Sequence, residues 1–323
     1  MTIKEQLLLH LKDNMDAWIS GESLSRQLGV SRAAIWKQAR NLKEEGYIIQ
    51  SLPKKGYRLC EISDLLLPGE IRERLGNNLF GGQQIYYYKE LDTTNLKAKE
   101  LASQGVPEGT LIIAEKQTKG RGRRGRSWFS PTGYGIYASM VLRPSIAPTE
   151  ISSITLMAAV SAAEALIALT PLNFRIKWPN DILLNDKKIA GILTEISSDM
   201  DIVDYLIIGI GMNINTPKDV FPPEIKETAT SIFIETNRPF QRIEIFSEFL
   251  KIYENYYINF EKSGIEPIME RWKELANIVG QRIEVDVMGQ KYRGDVVEIE
   301  NGILILKDHG RTYRIFSGDV TIL

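Results

Sequence analysis

The sequence contains few of the residues that most often bind metals or act as general bases. Its 323 residues include one cysteine, Cys60, and two histidines, His10 and His309, near opposite ends of the chain. A single cysteine excludes an intrachain disulfide and a cysteine-based metal site, and we interpret Cys60 as a small apolar residue at the end of a strand. Two histidines so far apart argue against a histidine base or a His-rich metal site. We therefore predict no resident metal, and any chemistry must rely on Arg, Lys, Asp and backbone groups.

Long apolar segments are also scarce. The first residues, MTIKEQLLLHLKDN, carry charges within their apolar run, which is unlike a secretory signal. We expect no apolar stretch of about 20 residues that could cross a membrane. With 43% hydrophobic and 25% charged residues, the composition matches that of ordinary soluble proteins. These observations predict a cytoplasmic protein without a membrane partner.

Charge is distributed unevenly along the chain. The formal net charge is only −1, but residues 1–60 hold ten Lys/Arg against six Asp/Glu, a net +4, and the remainder is net −5. A chain of this length has room for about two domains of roughly 100–200 residues. The sequence therefore predicts a basic N-terminal module ahead of an acidic body.

The basic module has the pattern of a helix-turn-helix. Apolar residues at helical spacing over 7–15 predict a first helix, and GESLSRQL at 21–28 predicts a second, short one. Gly29 starts a turn, and Ser31 is placed to cap a longer helix over 32–45. The buried side of that longer helix is predicted to comprise Ile35, Trp36, Ala39 and Leu42.

Two short strands at 47–50 and 56–59 add a wing to this module. Lys54 and Lys55 lie at its tip, and the longer helix also carries basic residues on its exposed face. Two basic elements in this order favour DNA binding, with the helix in the major groove and the wing on phosphates. The alternative is a protein-docking module with a solvated basic face. The candidate DNA contacts are Ser31, Arg32, Lys37, Arg40, Lys43, Lys54 and Lys55.

A loop rich in arginine and glycine dominates the acidic body. Residues 115–128 read EKQTKGRGRRGRSW, with three glycines and four arginines within seven positions. Glycine allows the backbone to approach a ligand closely, and arginine supplies forked donors for phosphates and carboxylates. The pattern predicts a loop that wraps an anion. A basic surface loop or a nucleic-acid patch is the alternative reading.

The spacing Gly120-x-Gly122-x-x-Gly125 also matches the dinucleotide-binding fingerprint, but its context does not. That fingerprint follows a strand and opens a helix. Here a strand over 110–115 precedes the loop, and Ser127 to Gly133 cannot open a helix before the next strand at 135–142. The segment is therefore predicted to be strand, loop and strand. A Walker phosphate loop is excluded because no Gly-Lys-Ser/Thr closes it.

Other polar segments surround this loop in sequence. Leu91 to Asn95, LDTTN, joins a strand to a helix N-terminus, which is suited to binding a polar group. Gly209 and Gly211 lie on one face of a strand over 205–213, which suggests that a ligand lies flat against that face. A proline-rich loop follows at 216–230, and the short strands of 281–323 predict a small SH3-like barrel.

Together these segments resemble the bacterial biotin–protein ligases, specifically the bifunctional type that also represses the biotin operon. The resemblance covers essentially the whole chain and rests on five motifs in the family's order: LDTTN at 91–95, Gln117 with GRGRRGR at 120–126, KWPND at 177–181, KIAGIL at 188–193 and GIGMN at 209–213. It implies a multidomain α+β protein. Its parts are a winged helix-turn-helix in 1–62, a mixed-sheet α/β catalytic domain of class II synthetase or lipoate ligase type in 63–275, and an SH3-like barrel in 276–323.

The resemblance also implies a function. The biotin carboxylate attacks the α-phosphate of ATP, with Mg²⁺, and the resulting biotinyl-5′-AMP passes biotin to a lysine of biotin carboxyl carrier protein. The adenylate favours a homodimer that binds operator DNA. Three alternatives remain: a biotin-sensing transcription factor without turnover, a lipoate-type ligase, and a ligase that does not bind DNA.

Residue roles follow from the same resemblance. Biotin contacts are implied for Thr93, Thr94, Asn95, Gln117, Gly120, Arg121, Gly122, Arg123 and Lys188. Nucleotide contacts are implied for Arg123, Arg126, Asn180, Gly209, Gly211 and Asn213. Catalytic roles are implied for Arg121, Arg123, Lys188 and Asp181. The chain departs from the family in having Thr93 where serine is common, and it shows no clear tryptophan after Asn213 to stack on adenine. Phe221 and Phe233 are the candidates for that stacking role.

Overall fold

Contacts within the computed structural model separate the chain into two units, Met1–Gly69 and Glu70–Leu323. The structure describes residues 2–61, 64–76, 78–147, 150–199, 202–300 and 302–323. The expected boundary between residues 62 and 63 lies outside the described residues. The second unit includes the C-terminal strands. The division at 275/276 therefore stays a prediction, although it falls at the last residue of a helix.

The first unit is a winged helix-turn-helix. Its helices are α1 Ile3–Asp13, α2 Gly21–Leu28 and α3 Arg32–Glu45, and its hairpin pairs β1 Ile48–Leu52 with β2 Gly56–Glu61. Polar caps define the helix starts, since the side chain of Ser20 accepts from Ser23 N and that of Ser31 accepts from Ala34 N. The core consists of fully buried aliphatic residues from all three helices and the wing: Leu7, Leu11, Leu24, Ile35 and Leu59.

The expectation that Trp36 belongs to this core is wrong. The buried positions of α3 are Ile35, Ala39 and Leu42, whereas Trp36 is 57% exposed. One helical residue corresponds to about 100°, so Trp36 lies beyond the edge of the buried stripe. The indole contacts Arg40 instead, whose guanidinium carbon lies 5.9 Å from the ring centroid.

A seven-stranded mixed sheet forms the centre of the second unit. Its spatial order is β3-β4-β5-β9-β8-β7-β6, and only the β3–β4 pair is parallel. The strand bounds are β3 Ile85–Tyr88, β4 Leu111–Ala114, β5 Gly135–Leu142, β6 Arg175–Lys177, β7 Asp181–Leu184, β8 Lys187–Asp199 and β9 Ile202–Asn213. The predicted strand, loop and strand around the arginine-rich segment is therefore confirmed as β4, the loop and β5.

Helices pack on both faces of this sheet, and those with contacts to its strands are α5 Thr94–Ser103, α6 Ile151–Leu169, α8 Arg242–Ser263 and α9 Glu266–Ala276. The two shorter helices are α4 Pro68–Leu75 and α7 Ile232–Thr236. Successive residues of a strand point to opposite faces. Thr194 of β8 contacts Thr155 of α6, with 2.7 Å between their hydroxyl oxygens, and the adjacent Glu195 accepts a hydrogen bond from Asn95 of α5. Helices α5 and α6 therefore lie on opposite faces.

Helix α6 corrects the expectation that no apolar stretch is long enough to cross a membrane. It has 19 residues with a mean hydropathy of 1.7, which satisfies that criterion by length and composition. Two thirds of it is buried inside the protein, where it packs against α8, α9 and the sheet. We assign it as the central core helix of the second unit.

The C-terminal strands form a separate five-stranded antiparallel sheet of the kind expected for a small barrel. The strands are β10 Arg282–Val287, β11 Gln290–Glu300, β12 Ile303–Asp308, β13 Arg311–Ile315 and β14 Asp319–Ile322, in the spatial order β13-β12-β11-β10-β14. The indole of Trp178 donates a 2.9 Å hydrogen bond to the Gly302 carbonyl, just before β12. Asp319 of β14 pairs with Arg124 and Arg126 of the arginine-rich loop.

Candidate ligand-binding and active site

A cavity of about 440 Å³ opens between the arginine-rich loop and the central sheet. Its lining includes the ends of strands β7, β8 and β9, the start of α5 and part of the proline-rich loop. The predicted residues that it contains are Thr93, Thr94, Asn95, Gln117, Arg121, Gly122, Arg123, Arg126, Asn180, Asp181, Lys188, Gly209, Gly211 and Asn213. The tertiary fold therefore brings together the motifs that the sequence keeps up to 120 positions apart.

The start of α5 provides a polar wall for this cavity. The helix begins at Thr94, and Thr93, at its N-cap position, makes no side-chain capping bond. Instead, the Thr94 amide and hydroxyl both donate to Gln117 Oε1, at 2.8 and 3.2 Å. Gln117 Nε2 in turn donates to Ser130 Oγ at 2.9 Å. These hydrogen bonds hold Thr94 against Gln117 and, through it, against Ser130.

Asn95 is held by the protein on both sides of its amide. Its Nδ2 donates to Glu195 Oε2 at 2.7 Å and to the Leu193 carbonyl at 3.3 Å. Its Oδ1 accepts from Ser139 Oγ at 2.6 Å, and that hydroxyl also lies 2.8 Å from Thr94 Oγ1. Because Asn95 is 5% exposed and its hydrogen-bonding groups are occupied, it orients the start of α5 on the sheet.

The two glycines of β9 accommodate protein side chains. A Cβ on Gly209 would lie 2.8 Å from Asn95 Cγ, and a Cβ on Gly211 would lie 2.5 Å from Trp128 Nε1. Both distances are shorter than any that real Cβ atoms show. The sequence suggested that a ligand lies flat on this strand face. In this structure the atoms nearest to a Cβ at either glycine belong to protein side chains, and both glycines also line the cavity, so the ligand interpretation stays a prediction.

The arginine-rich loop is closed by its own backbone. Gly122 N donates to the Arg126 carbonyl at 2.7 Å around a short 3₁₀ turn, Arg123–Gly125. The middle residue of that turn, Arg124, has a positive φ of 56°. At Gly120, an added Cβ would lie 2.9 Å from Ser130 Oγ, so only glycine fits there. The loop is therefore a defined turn in this structure.

The four arginines of the loop have different partners. Arg123 donates to Asn180 Oδ1 at 2.9 Å, and burial lowers the pKa of its guanidinium while the nearby Asp181 carboxylate opposes that shift. Arg124 pairs with Asp319 at 3.2 Å, and Arg126 pairs with the same carboxylate. Arg126, predicted to contact a nucleotide, is therefore paired with the C-terminal sheet in this structure. Within the described ranges, Arg121 forms no ion pair.

A lysine and an aspartate from the neighbouring strands β8 and β7 form an ion pair in the cavity lining. Lys188 Nζ lies 2.6 Å from Asp181 Oδ1 and 5.4 Å from the centroid of the Trp128 ring. Asp181 follows a cis Trp178–Pro179 bond at the turn between β6 and β7. The neighbouring Asn180 is 5% exposed and donates to the Ile192 carbonyl, so its side chain is fixed between β8 and Arg123. This turn presents one acid and one amide to the cavity.

Sequence reasoning missed several cavity residues. Trp128, Ile225, Ala229 and Asp319 line the cavity without having been assigned to the site. Trp128 comes directly after the arginine-rich loop, which was the available signal, and its buried indole N–H has no hydrogen-bond partner among the described residues. Phe221 was named as a possible adenine partner and does line the cavity, whereas Phe233 is not part of its lining.

Carboxylates are the potential metal ligands of the cavity. No group of three or more His, Cys, Asp or Glu side chains that could hold a metal occurs among the residues that the structure describes. The cavity lining does contain three carboxylates, Asp181, Asp186 and Asp319. Mg²⁺ that arrives with a nucleotide is held mainly by phosphates and one or two carboxylates, which this lining can supply.

The candidate DNA contacts of the first unit lie on its exposed surface. Arg32, Lys37, Arg40 and Lys43 of α3 and both wing lysines are exposed. Lys43 Nζ donates to Ser51 Oγ at 2.8 Å, which ties α3 to the wing, and Arg40 Nε donates to Glu44 at 2.8 Å. Ser31 acts as the helix cap described above. The basic surface is therefore partly braced by its own hydrogen bonds.

Comparison with known proteins decides the family. The model of the Biotin/lipoate A/B protein ligase family matches residues 87–213, and that of an HTH domain matches residues 4–58. The Bifunctional ligase/repressor BirA of Bacillus spizizenii is 36% identical over 322 residues, which is 99% of both chains. The chain belongs to the biotin–protein ligase family.

Other members of this ligase family support the assignment. The Bifunctional ligase/repressor BirA of Escherichia coli is 30% identical over 94% of this chain and 92% of its own. A solved biotin protein ligase from Aquifex aeolicus, in complex with biotin and ATP, superimposes with a TM-score of 0.63 at 30% identity. It covers 74% of this chain and 98% of its own. The predicted family and fold class are confirmed.

Proposed function

We propose that this ligase activates biotin with ATP and transfers it to a lysine of biotin carboxyl carrier protein, and that its adenylate-bound form represses biotin genes. One observation carries the proposal: the arginine-rich loop, Lys188 and Asp181 enclose a single cavity in a chain that matches bifunctional ligase/repressors over nearly its whole length. We expect it to act in the cytoplasm.

In the first step an oxygen of the biotin carboxylate attacks the α-phosphorus of ATP. A C–O–P bond forms, the bond to the β-phosphate oxygen breaks, and pyrophosphate leaves with Mg²⁺. Two anions must approach each other, so fixed positive charge lowers the barrier. Arg121, Arg123 and Lys188, which all line the cavity, are proposed to supply it. A carboxylate is already a nucleophile, so no histidine base is needed.

The polar wall at the start of α5 suits the ureido group of biotin. That group has two N–H donors and one carbonyl acceptor, and Thr93, Thr94 and Gln117 offer both kinds of partner. Gly120, Gly122, Arg121, Arg123 and Lys188 complete the proposed biotin site. Asn95 contributes by holding the wall in place, since its amide is already hydrogen-bonded to Ser139 and Glu195.

The nucleotide is assigned to the side of the cavity that contains Asn180 and Asn213. Arg123 and Arg126 are the proposed phosphate contacts, and Arg126 reaches a phosphate only by exchanging its Asp319 partner. Gly209 and Gly211 act indirectly, because they allow Asn95 and Trp128 to pack against β9. Phe221, which pairs with Phe129 at a ring-centroid distance of 6.2 Å, is the candidate adenine neighbour.

In the second step the acceptor lysine attacks the biotinyl carbonyl. The amine must be neutral, an amide bond forms, and AMP leaves with the electrons of the C–O bond. Asp181 is the proposed residue that positions this amine, because its carboxylate already pairs with an ammonium group, that of Lys188, in the cavity. Occupation of Lys188 by the adenylate would free Asp181 for the incoming lysine.

Repression is proposed to follow from the adenylate. Binding of the adenylate to the arginine-rich loop would favour a homodimer, and two winged helix-turn-helix units would then contact a two-fold operator. The linkage requires that biotin and ATP together raise operator affinity. Operator affinity that does not change with biotin and ATP would contradict this part of the proposal.

The enzyme assay separates the main alternatives. The protein is mixed with biotin, Mg²⁺ and α-labelled ATP, and the products are separated to detect labelled biotinyl-AMP and pyrophosphate. We expect both to form, and lipoate in place of biotin should give no adenylate. Biotin binding without adenylate would identify a sensor, and preferential use of lipoate would identify a lipoate-type ligase.

A further inference from the structure

The recognition helix α3 exposes a large aromatic side chain to solvent. Trp36 is 57% exposed, and the helix positions the ring beside Ala33, which is also exposed. Leaving an indole in water forgoes the stabilisation of burying a large apolar surface. The fold therefore holds an apolar patch, Ala33 with Trp36, on an otherwise charged helix face.

The indole is restrained by its neighbour. The Arg40 guanidinium lies over the ring, with 5.9 Å between Cζ and the centroid, and Arg40 Nε donates to Glu44 at 2.8 Å. Residues four apart on a helix are neighbours, so Trp36, Arg40 and Glu44 form one row along the helix. A ring fixed in this way loses little conformational freedom when it contacts a partner.

The surroundings of the patch specify the charge of that partner. Arg32, Lys37, Arg40 and Lys43 are exposed around it on the same helix, and the helix is the second of a helix-turn-helix. In such motifs the first residues of the second helix reach base edges in the major groove. Trp36 is the fifth residue of α3, within that N-terminal part, and Ala33 is small enough to allow close approach.

We propose that Trp36 reads thymine in the operator by packing its indole on the C5-methyl groups exposed in the major groove. This inference rests on the repressor half of the proposed function. Apolar contact with the thymine methyl is one of the direct ways in which a protein distinguishes base pairs. The surrounding basic residues contact phosphates, which position the helix without identifying sequence.

Substitution of Trp36 and substitution of a neighbouring lysine should affect the salt dependence of DNA binding differently. A lysine that neutralises a phosphate releases counterions, so its removal lowers the slope of log K against log salt by about 1. An indole releases none. Removing Trp36 should therefore weaken specific binding at every salt concentration and leave the slope unchanged.

The first experiment uses the full chain with biotin, ATP and Mg²⁺, and a duplex that the wild-type protein selects from a random library. Fluorescence anisotropy is measured from about 50 to 200 mM salt. We expect Trp36→Ala to reduce affinity for the selected duplex at least tenfold, with less than a threefold loss on a scrambled duplex and an unchanged slope. The matched control, Lys37→Ala, should weaken both duplexes and lower the slope. Equal losses on both duplexes, or a lowered slope for Trp36→Ala, would overturn the proposal.

A second experiment tests the contact itself. Uracil replaces each thymine of the selected duplex in turn, which removes only the methyl group. At one or two positions we expect wild-type affinity to fall severalfold, whereas Trp36→Ala should be insensitive there. Losses of the same size in both proteins at every position would refute methyl recognition by Trp36. Far-UV circular dichroism confirms that the variant is folded, and Trp36→Phe should retain part of the discrimination.

The result also separates the two proposals. If the wild-type protein selects no duplex, the repressor function fails and the role of Trp36 fails with it. If it selects one and Trp36→Ala binds that duplex as tightly, only the role of Trp36 is refuted.

Discussion

Replacing Gly209 with alanine tests whether Asn95 holds the polar wall at the start of α5 in place. The added Cβ would lie 2.8 Å from Asn95 Cγ, inside the second unit, with no positive φ at Gly209 that would add backbone strain. Asn95 must therefore move. Its movement breaks the hydrogen bonds to Ser139, the Leu193 carbonyl and Glu195.

The expected cost follows from those three bonds. Two neutral hydrogen bonds contribute about 1 kcal/mol each and the bond to the carboxylate about 2 kcal/mol, so complete loss amounts to about 4 kcal/mol. Partial relaxation of the strand would reduce this to about 2 kcal/mol. Because the displaced amide adjoins Thr94 and Gln117, biotin affinity should also fall at least tenfold.

The assay is a double-mutant cycle with Asn95→Ala. Urea unfolding of wild type, both single variants and the double variant is followed by tryptophan fluorescence, and biotin affinity is measured by calorimetry. Asn95→Ala removes the group that clashes, so Gly209→Ala should cost under about 1 kcal/mol in that background. An equal cost of Gly209→Ala in both backgrounds would contradict this prediction, as would a Gly209→Ala variant as stable as wild type.

Three further predictions concern the charged residues. Arg123→Ala should shorten the half-life of bound adenylate at least tenfold in a filter-retention assay, whereas Arg123→Lys should retain part of the wild-type half-life. An unchanged half-life in Arg123→Ala would contradict the proposed role of the loop in binding the adenylate. Asp181→Asn should preserve adenylate formation and slow transfer to the carrier lysine at least tenfold in single-turnover experiments, so equal effects on both steps would contradict its role. Arg242→Ala should lower the free energy of unfolding by about 3–5 kcal/mol, because it removes the buried cation that pairs with the Glu115 carboxylate at 2.8 Å. Denaturant titration checks this, with the exposed Arg26→Ala as a control that should change stability by under about 0.5 kcal/mol.

Local sequence patterns determined the elements of this protein and their order. Helix α3 begins and ends at the expected residues, since Ser31 caps it and Gly46 ends it. The arginine-rich segment was predicted as a loop between strands because Ser127 to Gly133 cannot form a helix, and the structure agrees. These features depend on neighbours in the chain, whose geometry is set by backbone dihedrals and capping.

The tertiary structure alone decided which residues touch. Trp36 is apolar and adjoins the buried residues of α3 in sequence. It nevertheless lies outside the core, because it is rotated about 100° around the helix axis from Ile35. The sequence suggested a ligand beside Gly209 and Gly211. The fold packs the side chains of Asn95 and Trp128, which are distant in sequence, against these two glycines. Asp319 pairs with the loop arginines across nearly 200 positions. Contacts of this kind arise from packing between elements that are distant in sequence. The residues next to each position in the chain therefore do not predict them.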